Sequence, residues 1–178
     1  MGFILDIEKY KDIEKEYWKF EQELLRKGIA FKETEKGIWG SVSCDEILEI
    51  FKKINLNKYK NFLDLGSGDG RVVLIASLFT KATGIEYDRE LHEKAEEIKK
   101  KLGINAELIN GDYMDYDLGK YDIIFINPDK NFKEIEGKLM KEFRGVLVVY
   151  NNIFLPRFLK KKRVLWVEQK PVYVYSVN

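Results

Sequence analysis

Residues 61–71 read Asn61-Phe62-Leu63-Asp64-Leu65-Gly66-Ser67-Gly68-Asp69-Gly70-Arg71. A short apolar run closes on an acid and three glycines at alternate positions, and a second apolar run, Val72 to Phe79, follows. That pattern is a strand, a tight turn and a helix. Alternate glycines let the backbone turn sharply and come close to a ligand. A dinucleotide fingerprint needs G-x-G-x-x-G, and Arg71 stands where its last glycine would be. The lysine and hydroxyl of a phosphate-cradling loop are missing as well. The loop therefore suits a neutral or cationic nucleoside better than a pyrophosphate.

Outward from this turn, short apolar runs alternate with helical stretches. Ala82 to Glu86 is the next strand, with a polar helix from Arg89 to Leu102. Strands follow at Ala106 to Ile109 and Tyr121 to Ile126, a helix at Asn131 to Phe143, and a strand at Gly145 to Tyr150. Such alternation implies parallel strands with right-handed crossovers. Arg163 to Glu168 and Val172 to Val177 are too tightly joined to be parallel and form an antiparallel hairpin at one edge. The expected fold is a doubly wound, seven-stranded, Rossmann-like α/β sheet with this C-terminal hairpin.

Before the core, Tyr10, Ile13, Tyr17, Phe20 and Leu24 make one stripe on a helix over Ile7 to Lys27, with Gly28 as its stop. Ser43 with Glu46 has the spacing of a capping box, opening a helix that buries Ile47, Ile50, Phe51 and Ile54. Residues 1–60 read as a helical cover, not an independent domain, and residues 61–178 as the core.

In open parallel sheets a ligand lies beyond the carboxyl ends of the strands, where strand order reverses. The first core strand delivers Asp64 and the glycine loop there. The second ends at Glu86, a carboxylate suited to both hydroxyls of a ribose. The third leads into Gly111-Asp112-Tyr113, where Asp112 can accept from an exocyclic amine and the next backbone N–H can donate to a ring nitrogen. The fourth ends Asn127-Pro128-Asp129. Proline stops the ladder at that point, and the Asn127 amide oxygen can accept from an attacking amine. Each feature also has a plain structural reading: a solvated acid, turn chemistry, or an Asn-Pro turn initiator.

Together these four sites resemble the class I S-adenosylmethionine-dependent methyltransferases, from about Asn61 to the C-terminus. The resemblance implies S-adenosyl-L-methionine as cofactor. Its methionine part would lie along Asp64, Gly66, Ser67, Gly68 and Gly70, its ribose on Glu86, and its adenine near Tyr87, Asp112 and Tyr113. Asn127 would border the methyl group and position the acceptor, with no covalent intermediate and no metal. Asn127-Pro128-Asp129-Lys130 is similar to the Asn-Pro-Pro-aromatic motif of enzymes that methylate amino groups of bases or glutamine. It departs at its third and fourth positions. The Gly66 to Arg71 signature also resembles that of small archaeal protein-lysine methyltransferases, in which a segment matching Trp39 to Ser43 closes over the cofactor. The proline usual in that segment is absent here.

Composition narrows the acceptor. With 31 Lys+Arg against 30 Asp+Glu the net charge is +1, which does not support a nucleic-acid partner. A protein lysine is the favoured acceptor, an amino group of RNA or DNA the alternative, and an inactive cofactor-binding partner subunit a third reading. The N-terminus lacks a signal-peptide pattern and no run is apolar enough to span a membrane, so a cytoplasmic protein without a membrane partner is expected. Lone Cys44 excludes an internal disulfide and reads as buried, and His92 as a solvated helix residue. Lys160 to Arg163 reads as a solvated basic turn. Trp18 and Trp39 are candidates to cover the cofactor, and Phe154 and Phe158 to line the acceptor site, each against a packing role.

Overall fold

The computed structural model describes residues 3–150 and 152–177. The chain opens with α1 (Ile7–Arg26), a small antiparallel hairpin of β1 (Lys32–Thr34) and β2 (Gly37–Trp39), and α2 (Cys44–Ile54). Then come β3 (Asn61–Leu65), α3 (Arg71–Ala76), β4 (Lys81–Glu86), α4 (Arg89–Leu102) and β5 (Glu107–Asn110). The remainder is β6 (Ile123–Ile126), α5 (Lys133–Glu142), β7 (Gly145–Val149), β8 (Lys160–Val167) and β9 (Lys170–Val177).

Strands β3 to β9 form one sheet in the order β5-β4-β3-β6-β7-β9-β8. The pairings among β5, β4, β3, β6 and β7 are parallel, whereas β9 runs antiparallel to both β7 and β8. The chain builds outward from β3 to β5, then returns to the other side of β3 with β6. The reversal between β3 and β6 opens a crevice at their carboxyl ends.

Apolar side chains fill both faces of the sheet. On one, Phe51 of α2 meets Phe62, Phe79 and Phe125 with ring centroids 5.3, 5.9 and 6.2 Å apart, all edge-on. Tyr10, Ile13 and Tyr17 of α1 belong to the same cluster, so the N-terminal helices share the core's apolar interior. The other face packs Leu63, Ile124 and Leu147 against Ile135, Leu139 and Phe143.

Several boundaries differ from the sequence reading. The helix expected to reach Phe79 ends at Ala76. Strand β6 starts at Ile123, not Tyr121, because the Tyr121 N–H closes the preceding turn on the Leu118 carbonyl at 3.4 Å; the Asp122 carboxylate then accepts from Lys60 N–H and Asn61 N–H at 2.9 and 2.8 Å. The capping box is half formed. Ser43 Oγ accepts from Glu46 N–H at 3.5 Å, but the buried Glu46 side chain leaves the cap to take Lys170 Nζ at 2.5 Å and the Tyr150 hydroxyl. Burial and the Glu46 carboxylate push the Tyr150 hydroxyl up to about 12.

The basic run Lys160 to Arg163 is not a turn but the exposed start of β8. Four cations on an edge strand discourage edge-to-edge pairing. The turn from β8 to β9 is Glu168-Gln169, both at positive φ (45 and 67°), as a two-residue hairpin loop requires. The β1–β2 hairpin is not legible as strands in the sequence, each being three residues of mixed character.

Candidate functional site

A cavity of about 450 Å³ opens at the carboxyl ends of β3, β4 and β6, within the size range of small-ligand sites. Its wall includes Asp64, Gly66, Ser67 and Gly68 from the first turn, Glu86 and Tyr87 from the second, Asp112 and Tyr113 from the third, and Asn127 from the fourth. These nine residues come from four separate stretches of sequence that only the parallel sheet brings together.

Gly70 does not line this cavity. It sits at φ +80°, and a Cβ there would lie 2.6 Å from the Ala95 Cβ of α4. Its requirement is close packing of the turn against α4, so Gly70→Ala should cost about 1–3 kcal/mol through backbone strain, read by urea denaturation. Ala95→Gly should restore only part, since it relieves the contact and not the φ. Full restoration would show that φ is unimportant.

Gly66, also at positive φ (73°), faces open space, with no atom within 4 Å of where a Cβ would stand. Gly68 (φ 54°) lies under Trp39, whose indole would be 2.4 Å from a Cβ there. Trp39 therefore does cover the turn, and it packs on Phe20 at 6.2 Å. Trp18 is exposed and does not line the cavity. Phe158 is exposed too, Phe154 packs against the second apolar cluster, and neither lines the cavity.

The turn is braced from beneath by a charge cluster that sequence reasoning passed over. Arg71, 2% exposed, grips Asp69 with Nε–Oδ2 at 3.0 Å and Nη2–Oδ2 at 2.7 Å. Its Nη1 donates to Glu21 Oε1 at 2.5 Å and to the Val42 carbonyl at 2.8 Å. The Tyr17 hydroxyl donates to the Asp69 carbonyl at 2.8 Å. One guanidinium thus ties the glycine turn to α1 and to the segment before α2, a task for Arg's planar fork. The cue was the acid–glycine–arginine order after the glycines, read only as a signature.

Two carboxylates shape the electrostatics of the cavity. Asp64 is buried, and burial, then Glu86 and Asp69, push its pKa well above the ordinary range. Glu86 is raised mainly by burial, against hydrogen bonds from the backbone of Asp88 and Gly68. Glu86 Oε2 accepts from Gly68 N–H and Oε1 from Asp88 N–H, each at 2.7 Å. Each oxygen keeps lone-pair capacity for a further donor. Buried carboxylates whose acting neighbours are anionic fit a ligand that brings positive charge and hydroxyl donors, as the sulfonium, ammonium and ribose of S-adenosylmethionine do.

The Asp112 carboxylate caps the turn after β5, Oδ1 accepting from Met114 N–H at 2.9 Å. Asn110, not singled out by sequence, fixes this wall by donating to the Glu86 and Tyr87 carbonyls at 2.9 and 3.0 Å.

Comparison with known proteins agrees with this fold. A family model described as histone methylation protein DOT1 matches residues 20–168. The chain belongs to the DOT1 family. Among solved structures, an RNA methyltransferase from Salinibacter ruber in complex with S-adenosyl-L-homocysteine superposes with a TM-score of 0.68 at 20% identity, covering 77% of this chain and 93% of that one. A SAM-dependent methyltransferase from Aquifex aeolicus gives 0.58 at 18%, covering 74% and 90%. At such identities the likeness is one of fold. No curated protein matches. Family and fold together make this DOT1-family chain a class I S-adenosylmethionine-dependent methyltransferase. Among the described residues no helix is long and apolar enough to cross a membrane.

Proposed function

We propose that the protein methylates the side-chain nitrogen of a protein lysine, with the cofactor held by the nine cavity residues named above. The observation that carries this reading is the loop from β6 to α5. Where base-methylating enzymes have a stacking aromatic, this chain has the exposed Lys130, and the next aromatic of the loop, Phe132, reaches the cavity wall with only 3% of its surface exposed. Phe132 offers a flat base little ring surface to stack on, whereas a lysine's slender chain needs none. The family description and the Gly66 to Arg71 signature support the same acceptor.

S-adenosylmethionine, when bound, supplies a methyl group on a sulfonium leaving group. The chain's part is positioning and exclusion of water. Asp64 receives the cofactor's ammonium, Glu86 its ribose hydroxyls, and Asp112 its adenine amine. The Asn127 amide oxygen accepts from the acceptor nitrogen and orients its lone pair, and Trp39 shields the glycine turn.

Labelled cofactor incubated with cell extract, then split into protein and nucleic-acid fractions, tests the acceptor. Label on protein lysine is expected. Label confined to RNA or DNA would replace this reading with methylation of a base amine. Cofactor binding without label in either fraction would favour an inactive partner subunit.

A further inference from the structure

The tip of the β1–β2 hairpin reaches the wall assigned above to adenine. Lys36 Nζ lies 2.9 Å from Asp112 Oδ2 and 4.8 Å above the centre of the Tyr87 ring. Asp112 Oδ1 already accepts from Met114 N–H and Oδ2 faces Lys36 Nζ, so a base amine must share an oxygen with one of these donors, and the ammonium is the one that can move. An exocyclic amine directed at Asp112 Oδ2 would meet this ammonium.

We infer that Lys36 is a specificity-determining residue of the adenine subsite, competing with the exocyclic amine of the base for Asp112. This rests on the cofactor reading above. Binding then requires the lysine head to swing aside, and the rest of the hairpin is anchored well enough to stay. Lys32 Nζ holds Asp88 and Glu90 at 2.7 and 2.8 Å, and Ile38 N–H donates to Asp129 Oδ2 at 2.5 Å. The Lys36 carbonyl accepts from Lys130 Nζ at 3.1 Å, so the residue that yields to adenine also touches the acceptor loop. Asp129, the departure from the Asn-Pro-Pro-aromatic motif, thereby serves as a latch for the hairpin.

Calorimetry with S-adenosylhomocysteine and S-inosylhomocysteine tests this on the wild type and Lys36→Met, which keeps the apolar stem and loses the charge. S-adenosylhomocysteine should bind the variant about two- to fivefold more tightly, the size expected from removing a half-exposed ion pair. S-inosylhomocysteine carries a carbonyl in place of the amine and offers Asp112 no donor there, so its affinity should not rise. Unchanged or weaker adenosyl binding, or equal tightening for both ligands, overturns the competition and leaves the cofactor reading standing. Failure of both proteins to bind S-adenosylhomocysteine removes the cofactor reading and this inference with it.

Discussion

Asp64→Asn should abolish useful cofactor binding and, in the same molecule, make the unliganded protein more stable. The two effects share one cause. Asp64 is a carboxylate buried at the end of β3, with Glu86 and Asp69 as its acting charged neighbours, and its pKa stands well above the usual carboxylate range. A buried acid in anionic company is costly to fold and well placed to receive a cation. Removing one partner of a buried charge pair costs about 2–5 kcal/mol, roughly 30-fold or more in affinity. Asparagine keeps the shape and discards the repulsion. Each ~1 kcal/mol gained would raise the melting temperature by about 2–4 °C for a chain of this length. A variant that binds S-adenosylhomocysteine normally, or that melts below the wild type, would contradict the role given to Asp64.

The pH dependence has a definite sign. The folded-state pKa of Asp64 exceeds its unfolded value, so between the two the folded protein holds more protons. Its stability therefore falls as pH rises through that window, from the ordinary aspartate range up to the raised value. Below the window Asp64→Asn and wild type should differ little; above it the variant gains. Ligand binding runs oppositely. A cationic ligand selects the ionised carboxylate, so affinity rises with pH across the same window and binding releases a proton. Calorimetry in buffers of different ionisation enthalpy would measure that proton directly.

The sheet was legible because its signals are local. Apolar runs of four to six residues between glycine turns and polar helices name the parallel strands, and the reversal at β3 and β6 locates the crevice. Asp64, Glu86, Asp112 and Asn127 followed from being strand-end residues. What escaped were features made by the approach of distant segments. Nothing near Lys36 in sequence indicates Asp112, 76 positions away, nor does Asp129 announce that it will bind the backbone of Ile38. Gly70 looks like a third cavity glycine because its neighbours Gly66 and Gly68 line the cavity, yet the turn rotates it onto Ala95. Glu46 had the capping spacing but found Lys170, a stronger partner than a backbone N–H. Local pattern proposes a bond in such cases, and tertiary charge pairing decides it.

Asn127→Ala should lower turnover by about 100-fold while leaving S-adenosylhomocysteine affinity nearly unchanged. Methyl transfer demands little proton chemistry, so its rate depends on collinear approach, and a misplacement near 1 Å can cost about 10². Asn127 follows the last residue of β6, and the buried Pro128 next to it fixes the backbone there. Its side chain forms no hydrogen bond within the described residues, so the amide oxygen can serve an incoming nitrogen without first breaking a contact. Alanine removes that acceptor and nothing on the cofactor's ribose or adenine side. Asn127→Asp separates positioning from charge. It keeps an oxygen in place but favours the ammonium form of a lysine, which lacks the lone pair needed for attack. Its activity should therefore rise only at higher pH than that of the wild type, while the alanine variant keeps the wild-type profile at reduced height. If both variants shift the profile alike, Asn127 acts through the protonation of the acceptor; if neither loses turnover, the acceptor is held elsewhere.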